Sequence, residues 1–296
     1  AHAYLWGFGM SAEIKRLLIF FFGVPTILML VYAAPHAHFL AFHLVIFGSV
    51  MGAVWEMHAM VSRRMCTYPL VLLIPFSLVL PLLGYAALWQ PARGAESVLF
   101  IGALGTLLMS VFFTELVYSF SASFENALER MASALLLVLY PGIFSLFFSL
   151  ITRWRHAEIA LVIFFLMVFT CDSCAWFCGT LWGVNNRGII PASPKKSIAG
   201  FIGGFAGSVG AGCFGSLVFG SRVTLSLGML MGVGALVGLT AIVGDLVESV
   251  MKRSAQVKDS GFFTPGRGGI MDNLDSLAPS LGTFYIACEC FGIAAV

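Results

Sequence analysis

Long apolar runs alternate with short polar breaks along the chain, and within a run the apolar residues are continuous. A bilayer core is spanned by about 20 apolar helical residues, whereas a membrane barrel alternates apolar and polar positions. The pattern therefore predicts helices that cross a membrane. The predicted spans are 17–34, 38–61, 69–89, 97–121, 131–151, 157–183, 198–220, 223–249 and 277–296, about nine in all. The second is the most dilute, because His36, His38, His43, Glu56 and His58 interrupt it. Short breaks at 35–36, 90–94 and 220–222 suit antiparallel neighbours. The expectation is an all-α polytopic membrane protein with a single membrane domain over 1–296.

Composition agrees with this pattern. The chain has 296 residues, of which 59% are hydrophobic and 10% charged, against about 25% charged in a soluble domain. The net charge of +2 gives no sign of a nucleic-acid partner. Seven cysteines, an odd number lying mostly inside apolar runs, argue against a disulfide framework. The cations say more by their distribution. With the N-terminus inside, Lys15, Arg16, Arg63, Arg64, Arg130, Arg187, Lys195, Lys196, Lys252, Arg253, Lys258 and Arg267 fall on inner segments. Only Arg93, Arg153, Arg155 and Arg222 fall outside. Twelve against four predicts a cytoplasmic N-terminus and a cytoplasmic loop 250–276. A bacterial inner membrane is the expected setting.

The two halves differ in chemistry. Residues 1–165 read as a helical scaffold and residues 166–296 as the half that carries motifs. In the first half, Glu56 and Glu115 stand out, since an ionised group in a span costs about 2.5–3.5 kcal/mol on insertion scales. Either could be hydrogen-bonded between helices or could wall a polar cavity. The irregularly spaced histidines at 36, 38, 43 and 58 read as interfacial rather than as metal ligands.

In the second half, Asp172 shares a helical face with Trp176, Gly179 and Gly183. Cys171, Cys174 and Cys178 read as small packing residues rather than zinc ligands. Ser193-Pro194-Lys195-Lys196 precedes the seventh span, where Ser193 could cap the helix and the lysines could seat a phosphate. Gly203/Gly207, Gly228/Gly232 and Gly234/Gly238 have the spacing of close helix contacts, within the chain or between subunits.

Between 245 and 275 lie five of the fourteen acidic residues: Asp245, Glu248, Asp259, Asp272 and Asp275. Four of the sixteen cations, Lys252, Arg253, Lys258 and Arg267, lie among them. Glu248 with Lys252 could be a plain ion pair one turn apart. Asp245, and the second pair Asp272 and Asp275, suit a hard cation that also binds phosphate oxygens.

Asp245-x2-Glu248-Ser249-x2-Lys252-Arg253-x4-Lys258-Asp259-x6-Gly266-x-Gly268-Gly269-x2-Asp272-x2-Asp275 resembles the signature of phosphatidate cytidylyltransferases, also called CDP-diacylglycerol synthases. The Asp172 face and the Ser193–Lys196 segment look like that family's upstream motifs, so the likeness covers about the last 125 residues. Two positions depart from the pattern: Asn273 stands where the family usually has Arg, and Arg267 where it often has His. The resemblance implies a membrane enzyme of phospholipid biosynthesis that joins CTP and phosphatidate into CDP-diacylglycerol and releases pyrophosphate. It also implies Mg²⁺ at Asp245 and Asp272, with room for a second cation such as K⁺. Glu248, Asp275 and Asp172 would be further site carboxylates. Phosphate contacts would come from Ser193, Lys195, Lys196, Ser249, Lys252, Arg253, Lys258, Arg267, Gly268 and Gly269. The implied assembly is a homodimer, which the glycine-rich helices would permit. The alternatives are an ion-coupled transporter and an inactive homologue caused by Asn273. A CDP-alcohol phosphotransferase would need an Asp-Gly-x2-Ala-Arg string, which the sequence lacks.

Overall fold

A computed structural model describes residues 23–89, 95–120, 124–220, 222, 226–261 and 268–292. These residues form α1 (Val24–Ala33), α2 (His36–Val61), α3 (Leu70–Ala87), α4 (Ala95–Tyr118), α5 (Ala127–Ile151), α6 (Ala157–Leu181), α7 (Ile198–Phe219), α8 (Leu227–Ser254), α9 (Met271–Leu274) and α10 (Leu277–Cys290). Among the described residues every named element is a helix, as expected where lipid offers the backbone no hydrogen bonds. Seven helices, α2 to α8, contain a stretch long and apolar enough to cross a membrane. They match the second to eighth predicted spans, including the dilute second. The first predicted span lies partly outside the described residues, and its described part is α1. The ninth begins as α10, which has 14 residues. The chain is an integral membrane protein.

Hydrogen bonds show which helix ends lie together. The Arg64 guanidinium, beyond the end of α2, donates to the Ser254 carbonyl at the end of α8 over 2.8 Å. Arg253 donates to the Ala192 carbonyl in the loop before α7, over 3.1 Å. The Cys66 amide donates to Glu129 at the start of α5, over 3.0 Å. At the opposite end, the Trp154 indole donates to Glu289 at 3.1 Å and Tyr85 donates to the Ala37 carbonyl at 2.8 Å. Consecutive long helices therefore run antiparallel, and the polar loops after α2, α4, α6 and α8 share one end.

Two apolar clusters fill the bundle. One joins the start of α2 with α6, α8 and α10, through Phe42, Phe164, Val237 and Phe284. The other joins the second half of α2 with α3, α4 and α5, and it takes in Met271 from α9. The glycine faces knit α6, α7 and α8 together. A Cβ on Gly204 would lie 2.9 Å from the Cys171 carbonyl oxygen, one on Gly207 2.8 Å from the Cys174 Cβ, and one on Gly234 2.6 Å from the Ser208 carbonyl oxygen. Cys171 and Cys174 thus act as small packing residues, as expected. Among the described residues, Gly210, Gly228 and Gly232 have no neighbour within 4 Å of where a Cβ would sit.

The cap of α7 differs from the expectation. The side chain of Ser197, not Ser193, accepts the Gly200 amide hydrogen at 3.1 Å. Ser193 is held in a turn instead: its amide donates to the Ile190 carbonyl and its carbonyl accepts from Lys196. A capping side chain reaches two or three residues ahead, so Ser193 is too far from the first free amides of α7.

Candidate functional site

At the end shared by the α6–α7 and α8–α9 loops lies a cavity of about 460 Å³. Four aspartates line it: Asp172 in the second half of α6, Asp245 on α8, Asp272 on α9 and Asp275 just before α10. Arg187, Lys195 and Lys196 from the α6–α7 loop line it as well. The wall also includes Trp176, Phe201 and Ile242. Trp176 is 68% exposed, so one side of the cavity meets the outer, apolar surface of the bundle.

Lysines sit against the two carboxylates read as metal ligands. Lys196 pairs with Asp245 at 2.5 Å. Lys252 pairs with Asp272 at 2.6 Å and also with Glu248, one turn back on α8. Glu248 is fully buried, so Lys252 offsets a charge that would otherwise be costly in an apolar bundle. The other oxygen of Asp272 accepts from the Gly269 amide at 2.7 Å, the Ser260 amide at 2.9 Å and the Ser260 hydroxyl at 2.8 Å. Burial works against the Asp272 charge, but Lys252 and these donors outweigh it and hold the carboxyl below its ordinary range. Asp275 behaves oppositely. Burial, then the charges of Asp245, Glu248 and Asp172, push its carboxyl well above the ordinary range. The Ser276 hydroxyl lies 3.2 Å from Asp275 and 3.3 Å from Asp172, bridging the two.

The backbone around Asp272 is set by glycine. Gly268 has φ +96°, and a Cβ there would meet the Asp272 carboxylate. Asn273 donates from its side chain to the Gly269 carbonyl at 2.7 Å, closing the turn that leads into α9.

Of the residues read from sequence, Asp172, Lys195, Lys196, Asp245, Asp272 and Asp275 share the cavity wall. Lys252 and Glu248 lie behind Asp272. Arg253 is exposed and holds the Ala192 and Val257 carbonyls. Lys258 is exposed on the loop, and Ser249 is buried on α8. Arg267 lies outside the described residues. Arg187, Ser260 and Ser276 were not singled out by sequence. Arg187 counted only as an orientation charge, and the two serines are ordinary until the fold sets each against a carboxylate. Glu115 takes the first of its two readings. It is buried in an ion pair with Arg130 at 2.5 Å and also accepts from the Tyr68 hydroxyl, away from the cavity. His43 is buried too, with ring nitrogens 3.1 Å from the Phe39 carbonyl and 3.1 Å from the Ser149 hydroxyl.

Four carboxylates on one wall are hard oxygen donors of the kind Mg²⁺ takes, with only one or two needed directly. Two of them are neutralised by lysine. Among the described residues no three His, Cys, Asp or Glu side chains converge as a metal cage. One or two of these carboxylates would leave places in a cation's shell for phosphate oxygens, so the donor chemistry fits Mg²⁺.

Residues 14–291 match the profile of the Cytidylyltransferase family. The chain is 35% identical over 147 residues to a phosphatidate cytidylyltransferase of Helicobacter pylori, covering 49% of this chain and 53% of that protein. It is 36% identical over 129 residues to one of Synechocystis, covering 42% and 43%. To one of Mycobacterium bovis it is 29% identical over 255 residues, covering 79% of each. It spans about half the length of the first two relatives. With nearly its whole length matched, and with the aspartate-lined cavity built from the stretches that carry the signature, this chain belongs to the cytidylyltransferase family.

Proposed function

We propose that the chain is a CDP-diacylglycerol synthase, transferring the cytidylyl group of CTP to phosphatidate at the cytoplasmic face of a bacterial inner membrane. The observation that carries this reading is the single cavity in which four aspartates, two lysines and an exposed tryptophan meet. Carboxylates and cations suit a nucleoside triphosphate from water, while an edge open at Trp176 suits a lipid. The relatives' shared name points to the same reaction.

In this reaction a phosphate oxygen of phosphatidate attacks the α-phosphorus of CTP. The bond from that phosphorus to the β-phosphate oxygen breaks, and pyrophosphate leaves with the electron pair. Catalysis of this kind rests on positioning and charge stabilisation. Asp245 and Asp272 would hold Mg²⁺, which when bound offsets phosphate charge, and a second cation such as K⁺ would sit near them. Lys196, now paired with Asp245, would turn to phosphate oxygens, with Lys195 and Arg187 beside it on the wall, while Lys252 would hold Asp272 from behind. Asp172 and Asp275, linked through Ser276, would fix the far side of the cavity. A homodimer would use the unoccupied glycine face of α8, at Gly228 and Gly232.

The ion-coupled transporter is not favoured, because four of the acids share one cavity with cations from the polar α6–α7 loop. The test is release of pyrophosphate from CTP plus phosphatidate in detergent, with other nucleoside triphosphates as controls. Asp245→Asn and Asp272→Asn are each expected to abolish Mg²⁺-dependent release. Near-normal turnover by either variant would remove the metal assignment, and no product with any nucleotide would remove the enzyme reading.

A further inference from the structure

Glu56 lies on α2, in the half of the chain that reads as scaffold, and is 3% exposed. Its partners are 204 to 215 residues away in sequence and belong to the loop that presents Asp272. One carboxylate oxygen accepts the Ile270 amide hydrogen at 2.9 Å, and the other accepts the Met271 amide hydrogen at 2.9 Å. The second oxygen also lies 3.1 Å from the Ser260 hydroxyl. That hydroxyl is 2.8 Å from Asp272, and it accepts the Asp272 amide hydrogen at 3.3 Å. Gly261 and Gly269 press against the Glu56 carboxylate so closely that a Cβ on either would overlap it. One buried side chain therefore grips both arms of the loop, at Ser260 and at 269–271, and the residue immediately after the gripped amides is Asp272.

We infer that Glu56 is a positioning residue for Asp272, acting through Ser260 and the Ile270 and Met271 amides to aim that carboxylate into the cavity. A side chain with two acceptor oxygens suits this task, because both oxygens here face N–H donors. A glutamine would turn an NH₂ group toward one of those amides. These bonds account for a carboxylate in apolar surroundings: Ile270 packs onto Gly52, one turn before Glu56, and Met271 is in the α2–α5 core.

The inference rests on the cytidylyl-transfer reading for its consequence, but not for its geometry. Two readouts separate them. Hydrogen exchange of purified protein reports the loop alone: Glu56→Gln is expected to speed exchange across 259–275 and leave the α6–α7 region unchanged. Mn²⁺ titration followed by electron paramagnetic resonance reports Asp272. There Glu56→Gln is expected to weaken binding about 10- to 100-fold, the usual effect of losing a residue that orients a ligand. Glu56→Asp, which keeps the acceptors, is expected to recover part of that loss. In an Asp272→Asn background, Glu56→Gln should add nothing further. Unchanged loop exchange in Glu56→Gln overturns the clamp. Faster exchange with wild-type Mn²⁺ affinity, or an equal loss in the Asp272→Asn background, overturns its action through Asp272. A wild type that neither binds Mn²⁺ nor releases pyrophosphate defeats the proposed reaction and the action on a metal ligand together, while loop exchange still decides the clamp.

Discussion

Gly268 shows how a single residue ties backbone to chemistry. Its φ of +96° lies where side chains are rarely tolerated, and a Cβ there would enter the Asp272 carboxylate. Gly268→Ala should therefore cost about 1–3 kcal/mol of local strain and displace Asp272 as well. The expected result is loss of most pyrophosphate release with little change in helical circular dichroism. An active Gly268→Ala would show that the loop adjusts freely. Asn273 tests the same turn from the other side. Its side chain closes onto the Gly269 carbonyl, a bond that an arginine in this place would exchange for a cation beside the cavity. Asn273→Arg is expected to raise turnover with CTP, and unchanged turnover would mean that either residue serves. At this scale sequence reading finds the charged residues, since carboxylates are conspicuous in apolar runs. It does not find Ser260 or Ser276, whose hydroxyls matter only because folding sets them against Asp272 and Asp172.

Among elements, α6, α7 and α8 act as one packed unit with glycine between them. The spacing Gly203/Gly207 and Gly234/Gly238 predicts close approach, and the partner is α6 for the first pair and α7 for the second. Sequence could not choose between a partner helix and a partner subunit, because both need the same small-residue face. The structure separates the two classes of glycine. Gly204→Val would press on the Cys171 carbonyl and Ala175, and overpacking of this kind costs about 1–3 kcal/mol. Its thermal unfolding midpoint in detergent should fall. Gly232→Leu meets open space and should leave that midpoint in place. If α8 pairs with a second copy, Gly232→Leu should instead reduce chemical cross-linking into dimers. A Gly232→Leu protein that still cross-links as wild type would move the dimer face elsewhere. The start of α7 was legible in the serine and proline before it, yet the cap fell four residues late, on Ser197, because Ser193 to Lys196 forms a turn of its own.

For the whole molecule, the seven long helices α2 to α8 and their order were legible because continuous apolar runs leave little choice in a membrane. The joining of the two halves was not, since nothing in the run around Glu56 announces a partner beyond residue 260. Orientation in the membrane is likewise a property of the whole molecule. The positive charges predict that the end with the cavity faces the cytoplasm. Two exposed cysteines report on the two ends. Cys66 follows Arg63 and Arg64 and bonds to Glu129, at the cavity end. Cys290 follows Glu289, which holds Trp154 at the opposite end. With Cys290→Ser, a membrane-impermeant maleimide should label Cys66 in inside-out vesicles and leave it unlabelled in intact spheroplasts. With Cys66→Ser, Cys290 should show the reverse. If both patterns invert, the cavity opens away from cytoplasmic CTP, and the synthase reading fails with the orientation. If Cys66 alone behaves as expected, orientation holds for the cavity end and α10 does not carry Cys290 across the membrane.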